Sequence, residues 1–450
     1  MSISLRRRGA LVALAAASAL LAACGGGSSG NSTSGSSSGT SGGGKSVKLS
    51  YLVDNSDASV ASAKAVIAAF QAANPGITID MQTRPQGSDG DNVVKTRLST
   101  NDMTDIFAYN NGSLFQALKP EKNLVPVSDQ PWASSLNKIF VDATSANGKL
   151  YGAPMGTAFG GAILYNIPVY KKLGLQIPQT WDQFMANNAK IKAAGIAPVI
   201  QTYGNTSTWT SQLFVLGDFH NVQAKESDWA TKYTNGQVKY ATDPVALAGF
   251  QHLQQLHDGN DFNKDYRSAQ LNDGLKMLAE GKGAQYPMLG GVAATIEQLV
   301  PGKMGDIGFF PIPGSDASTF GMTIWSPGAV YIPTSTKGDK LAAAKKFLAF
   351  VSSPQGCDAQ TKGQTPTGPY MVNSCTLPAN VSQVAKDTQT YLKSGKSSPA
   401  LEFKSPIKGP NLEQICIQVG SGIESAQKGA QDYDQDVKKQ AQQLGLSWAS

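Results

Sequence analysis

Histidine and cysteine are scarce in this chain, with three His and four Cys among 450 residues. The cysteines, at 24, 357, 375 and 416, are too few and too scattered for a disulfide-built scaffold or a zinc ribbon. The histidines are His220, His252 and His257. The last two are five residues apart and so miss the i, i+4 spacing of a helical zinc pair. Charge is sparse too, at 16% of residues, and no basic run appears. Of the formal net charge of +6, three units are Arg6, Arg7 and Arg8, which leaves +3 spread along the remainder. Nucleic-acid binders concentrate positive charge on one face, so nucleic acid is not an expected partner. The apolar stretch Gly9–Ala23 is 15 residues long, short of the ~20 that span a bilayer as a helix.

Several motif fragments also lack what their chemistry needs. Ser394-Gly395-Lys396-Ser397 has Thr390 where a phosphate-binding loop needs its first glycine. Asp261 to Asp265 (DFNKD) and Asp432 to Asp436 (DYDQD) lack the sixth-position Gly and twelfth-position Glu of a calcium loop, and read as solvated turns. Gly35-Ser36-Ser37-Ser38-Gly39 fits G-x-S-x-G, but its Ser/Gly surroundings supply neither the strand nor the helix of a hydrolase elbow.

What is present is 41% hydrophobic residues, enough for large cores, in a length that favours two domains or lobes. Arg6–Arg8 followed by Gly9–Ala23 reads as a secretory signal over residues 1–23. Residues 25–44 hold nine Gly and eight Ser in twenty positions. That composition is a flexible tether with a reach of about 25 Å.

The pattern changes at Val47. Val47, Leu49, Tyr51 and Val53 alternate with polar residues as in a strand, and Val60, Ala63, Ile67 and Phe70 then recur at helical steps. Asn74-Pro75-Gly76 stops that helix, and Ile77, Ile79 and Met81 alternate again. Strand, helix and strand in about 35 residues make a βαβ unit and imply a parallel sheet. Asp105 to Tyr109 and Ala162 to Tyr165 read as further short strands. Thr180 with Gln183 forms a capping box for a helix from Trp181. Leu341, Ala344, Leu348 and Val351 mark another helix, and Leu412, Ile415, Val419, Ile423 and Ala426 mark one near the C-terminus. The fold class is α/β with a helical C-terminal part.

The segment Leu21-Ala22-Ala23-Cys24, the tether, TDIFAYNNG (104–112), LYGAPMGTAFGGAILYN (150–166), PQTWDQF (178–184), GKGAQYPMLGG (281–291), TIWSPGAVYIP (323–333) and QTPTGPY (364–370) come in this order. Together they resemble the extracellular solute-binding lipoproteins of carbohydrate ABC importers, the bacterial extracellular solute-binding protein family 1. The resemblance implies a two-lobe periplasmic-binding-protein-like fold with a hinge and an interlobe ligand cleft. It implies lobe 1 over 46–158 plus 327–366 and lobe 2 over 159–326 plus 367–450, with QTPTGPY as a third crossing between them. It also implies lipidation of Cys24, at the head of a 24–45 tether. The protein is then expected outside the cytoplasm at the cell membrane, as a monomer that passes a carbohydrate to the permease subunits of an ABC transporter. Neither catalysis nor a cofactor or metal is implied.

A sugar offers hydroxyl edges and weakly polar faces, so its site needs amides or carboxylates and flat aromatic rings. Asp54 and Asn55 follow the first strand, where they are candidate ligand contacts or caps of the next helix. Tyr109, Asn110 and Asn111 follow the third strand, Thr157 and Phe159 lie in the first crossing, and Trp209 lies in a polar loop. Trp325 precedes the second crossing. Asp105 and Trp181 read as structural. Where many relatives carry a tryptophan after the Gly-x-Ala strand, this chain has Met288-Leu289-Gly290-Gly291-Val292, so stacking there is weaker or absent. Cys357 and Cys375 could form a disulfide, as could Cys375 and Cys416, although Cys416 sits on an apolar stripe and reads as a buried thiol. The alternative functions are a surface-tethered glycoside hydrolase, for which carboxylates are plentiful, and a receptor for a polyol or peptide.

Overall fold

The computed structural model describes residues 46–448. The signal at 1–23, Cys24 and the 24–45 tether lie outside the described residues. The first lobe is built on β1 (Val47–Asp54), β2 (Ile77–Arg84), β3 (Ile106–Tyr109), a small hairpin of β4 (Ser145–Ala146) and β5 (Lys149–Leu150), and β6 (Gly152–Pro154). The second lobe contains β7 (Phe159–Asn166), β8 (Ala197–Val199), β9 (Gly283–Leu289), β10 (Ile307–Phe310) and β11 (Met322–Trp325). The chain then returns to the first sheet with β12 (Ala329–Tyr331) and later adds β13 (Ser397–Pro399) to the second.

The expected βαβ start is present. β1 pairs in parallel with β2 and with β3, and helix α1 (Asp57–Ala73) connects the first two. Its apolar face buries Ala63, Val66, Ile67 and Phe70, and Phe70 meets Phe347 of the helix Gly338–Val351 edge-on at 5.1 Å. β12 closes the first sheet antiparallel to both β3 and β6. In the second sheet β7 is central, antiparallel to β9, β10 and β11. Each lobe has its own apolar interior, one centred on Tyr51, Phe70 and Phe347, the other on Phe214, Trp229, Tyr240 and Tyr433.

Thr180 caps the helix Trp181–Ala193 by accepting from the Gln183 N–H at 3.3 Å. The Gln183 side chain closes the motif one residue further back than expected, accepting from the Gln179 N–H at 2.8 Å. Trp181 is structural: its ring stacks on His252 at 3.6 Å and its indole donates to Gln255. Asp105 is structural too, accepting from Ser50 and pairing with Lys340.

Four expectations need correction. The C-terminal apolar stripe is two helices, Leu412–Gly420 and Ala426–Gln443, broken where Gly422 takes φ +71°. Ile423, in the break, is therefore 71% exposed instead of packed. Asp432 to Asp436 are not a turn but part of the second of these helices, where buried Asp434 accepts from the Tyr240 and Ala241 N–H groups. Asp261 and Asn263 are buried. The Asn263 side chain accepts from the Gln201 N–H at 2.8 Å, which holds that loop onto the second lobe.

The fourth correction concerns the third crossing, which is not QTPTGPY. Cys357 and Cys375 form a disulfide that ties the following segment to the helix Pro354–Gly363. Tyr370, Met371 and Val372 are buried in the first lobe, with Cys375 and Leu377 packed on it. Val384 is the first residue after that segment buried in the second lobe, so the chain crosses between 377 and 384. Residues 364–370 run along the edge of the first crossing instead, with Thr157 bridged to Tyr370 and the Ala158 N–H donating to Pro369 O at 2.8 Å. Cys416 is a buried free thiol, and burial pushes its pKa well up.

Candidate functional site

The carboxyl ends of the parallel strands β1, β2 and β3 point to one edge of the first sheet, where α/β proteins place their ligands. The first crossing (155–158) and the second (326–328) pass beside this edge, held together by the Met155 N–H donating to Gly328 O at 3.0 Å. A cavity of about 390 Å³ lies there, with walls from both lobes and both crossings. Pockets of this size and position take small organic ligands.

Among the residues singled out from the sequence, Asp54, Tyr109, Asn110, Asn111, Thr157, Phe159, Trp209 and Trp325 all reach the wall. Asn55 does not: it is exposed, and its N–H donates to Arg84 O at 2.9 Å. Asp54 is on the wall but its carboxylate is used locally, accepting from the Ser56 N–H at 2.9 Å and the Ser59 hydroxyl at 2.7 Å at the start of α1. The cap of α1 is Ser56, and Asp54 supports that cap from the cavity wall. Asn111 is buried, and its amide donates to Ser326 Oγ at 3.1 Å and Pro327 O at 2.7 Å, which fastens the end of β3 to the second crossing. Asn110 is exposed at the rim.

Two indoles belong to this wall, Trp325 buried and Trp209 half-buried. Trp325 ends β11, and its indole N–H donates to Glu402, which also lies 4.0 Å from the Lys408 ammonium. Its ring covers Gly161 so closely that a Cβ there would lie 2.2 Å from Trp325 Cζ3. Gly161→Ala is therefore expected to push the indole off Glu402, lowering stability by roughly 1–3 kcal/mol and weakening ligand binding. Denaturant titration and calorimetry read the two effects. Trp209 sits in the helical turn Thr208–Gln212, half-buried, and its indole nitrogen has no hydrogen-bond partner.

Sequence reasoning missed five charged wall residues: Arg84, Asp91, Glu402, Lys408 and Glu413. Arg84 ends β2, so the rule that selected Asp54 and Tyr109 as strand-end residues also selects it. Glu402, Lys408 and Glu413 carry no local signal, because they reach the cavity only through the fold of the C-terminal segment. Arg84 is buried and lies 5.4 Å over the Tyr109 ring, with its Nε unpartnered. The Tyr109 hydroxyl has no partner in hydrogen-bond geometry and faces Asp91. Burial raises the Asp91 carboxyl above its ordinary value, against the pull of the Lys408 and Arg84 charges. Glu413 accepts from the Thr208 hydroxyl at 2.7 Å and lies 3.4 Å from the Ser88 hydroxyl across the cleft.

A buried polar atom without a partner costs about 1–3 kcal/mol. Here Tyr51 Oη, Arg84 Nε, Tyr109 Oη and Trp209 Nε1 all lack one and all belong to residues of this cavity wall. Their arrangement suits a neutral, hydroxyl-rich guest that can both donate and accept. Among the described residues no group of three or more His, Cys, Asp or Glu is placed to hold a metal ion. Nor is any described helix long and apolar enough to cross a membrane.

The comparisons with known proteins agree with this architecture. The chain is 26% identical over 301 residues to the multiple sugar-binding protein of Streptococcus mutans, covering 65% of this chain and 68% of that one. It is 22% identical over 357 residues to the melibiose/raffinose/stachyose-binding protein MelE of Bacillus subtilis, covering 75% of each. A solved chitin oligosaccharide binding protein superposes with a TM-score of 0.76 at 19% identity, over 88% of this chain and 99% of that one. Residues 54–356 match the family profile described as bacterial extracellular solute-binding protein. The chain belongs to that family.

Proposed function

We propose that this protein is an extracytoplasmic receptor that binds a sugar or short oligosaccharide between its lobes and delivers it to an ABC importer. Residues 46–158 with 327–377, and 159–326 with 384–448, act as the two moving bodies. Lipid on Cys24 and the Gly/Ser tether hold the receptor at the membrane. Binding is followed by closure and docking on the permease, with no bond made or broken. The observation that carries this reading is the pairing of two indole plates with unpartnered polar atoms around one interlobe cavity. The relatives named for sugars support it.

The test is thermal unfolding of the purified protein against a panel of mono- and oligosaccharides, with the recovered sugar analysed for cleavage. A ligand that binds only the folded state stabilises it by about 2.7 kcal/mol at a hundredfold excess over Kd. A clear rise in Tm with one sugar class, and intact sugar afterwards, is the expected result. Cleaved sugar would indicate a hydrolase, and no shift with any carbohydrate would remove the sugar assignment.

A further inference from the structure

The Cys357–Cys375 disulfide closes a segment of chain that meets the ligand site in three ways. Gln360, Gln364, Thr365, Thr367 and Tyr370, all inside it, stand on the wall of the cavity of about 390 Å³. The same segment grips the first crossing: Gln360 Oε1 accepts from the Gly156 N–H at 2.6 Å, and the Ala158 N–H donates to Pro369 O at 2.8 Å. Gly368 permits that approach, since a Cβ there would lie 2.1 Å from Ala158 O. Across the cleft, the Gln364 amide donates to Gly291 O of the second lobe at 3.4 Å.

The segment has no ladder to hold it. From 364 to 382 the described chain forms neither helix nor strand, only single-residue bridges from Tyr370 to Thr157 and from Val372 to Leu136. Its conformation therefore depends on side-chain contacts and on the covalent bond. That bond joins Cys357, 2% exposed on the helix Pro354–Gly363, to half-buried Cys375. A cross-link limits the conformations open to the loop it closes. Tyr370 acts in the same sense, its hydroxyl donating to Cys357 O at 3.1 Å.

We infer that Cys357 and Cys375 are positioning residues for the ligand site, and that sugar affinity is coupled to their redox state. The inference rests on the sugar-receptor reading and deepens it by naming what regulates the site. With the bond closed, the wall and the grip on the first crossing are set before the ligand arrives. Reduction by a dithiol breaks the S–S bond. Two electrons and two protons pass to the pair, which becomes two thiols, and the dithiol becomes a disulfide. The ligand must then order the loosened segment as it binds, which lowers affinity. Disulfides persist outside the cytoplasm, so the site is complete there and incomplete in a reducing compartment. The coupling is reciprocal: the factor by which reduction weakens sugar binding is the factor by which bound sugar protects the disulfide.

Calorimetric titration with raffinose, stachyose and chitotriose tests this on the oxidised protein and on protein reduced with dithiothreitol. The temperature is one at which circular dichroism shows both forms folded. A sugar that binds the oxidised form is expected to bind the reduced form, and the double variant Cys357→Ala/Cys375→Ser, about tenfold more weakly. The pair is also titrated in dithiothreitol redox buffers, with alkylated thiols read by mass. Its reduction potential is expected to be about 30 mV more negative when sugar saturates both forms, the same tenfold factor for a two-electron couple. A disulfide that served stability alone would change Tm and leave affinity and potential unmoved. If the double variant fails to fold, the potential of the parent protein carries the test. Equal affinity in the two redox states, with a potential that sugar does not shift, overturns the coupling and leaves the receptor reading standing. Absence of binding by the oxidised protein removes that reading, and the coupling with it.

Discussion

Replacing Trp209 with alanine is expected to weaken sugar binding by at least thirtyfold or so, equivalent to about 2 kcal/mol, the scale on which a buried anchor acts. The ring is half-buried on the cavity wall, and its N–H has no hydrogen-bond partner. A sugar gains from the face of the indole, and a shift of the ring on lobe closure also brings it the N–H, which is buried without a partner here. Trp209→Phe keeps the face and loses the donor, so it should recover part of the affinity. Calorimetry on the three proteins reads the ordering directly. Equal affinities would mean that Trp209 only packs against its own lobe. Trp325 is a less clean probe, because removing it also frees Glu402 and exposes Gly161.

The second large effect is on stability. Asp218 is buried, with an Asn221 amide donating to it at 2.8 Å, and burial pushes its carboxyl up to about 8. In the unfolded chain an Asp titrates near pH 3.9. The folded state therefore holds the proton where the unfolded state has lost it. Stability from this group is present at low pH and is lost as pH rises towards 8, by at most about 1.4 kcal/mol per unit. Three further buried groups titrate below this range. Burial lowers His220 to about 4 and His252 to about 3, and those two cost stability only as pH falls below about 6.5. Asp434, raised by burial to about 6, loses its contribution mostly below that pH. Across the window from 6.5 to 8 the difference between parent and an Asp218 variant reports Asp218, since burial-raised Asp91 and Asp387 are common to both. Asp218→Asn keeps the acceptor for Asn221 and removes the titration. It is expected to flatten the stability profile in that window and to be more stable than the parent at pH 8. Denaturant titrations at pH 6.5, 7.2 and 8 decide, and parallel slopes for the two proteins would refute this account.

How much was legible in the sequence depended on whether the deciding interaction is local. The β1–α1–β2 unit was readable because alternation and three- and four-residue apolar steps arise within each element. Trp181 and Asp105 were placed correctly for the same reason, as members of a helix start and a strand start. Asp54 shows local competition: its position after β1 puts it beside the cavity, yet Ser56 and Ser59 claim its oxygens. The third crossing was misplaced because the Cys357–Cys375 bond and the burial of Tyr370 to Val372 are long-range facts. Glu402, Lys408 and Glu413 were invisible because nothing near them in sequence marks a strand end or a crossing. They become wall residues only once the C-terminal helices pack on the second lobe. Ile423 failed for a simpler reason: its spacing fits the helical stripe, but Gly422 has already ended the helix.

The most direct measurement is a crystal structure of the protein with the sugar that raises its Tm most. The account predicts a sugar ring against Trp209 and Trp325, its hydroxyls satisfying Arg84 Nε and the Tyr109 hydroxyl, with the lobes closed over it. A sugar bound outside the interlobe cavity, or one inside it that leaves both indoles and those polar atoms untouched, would contradict it.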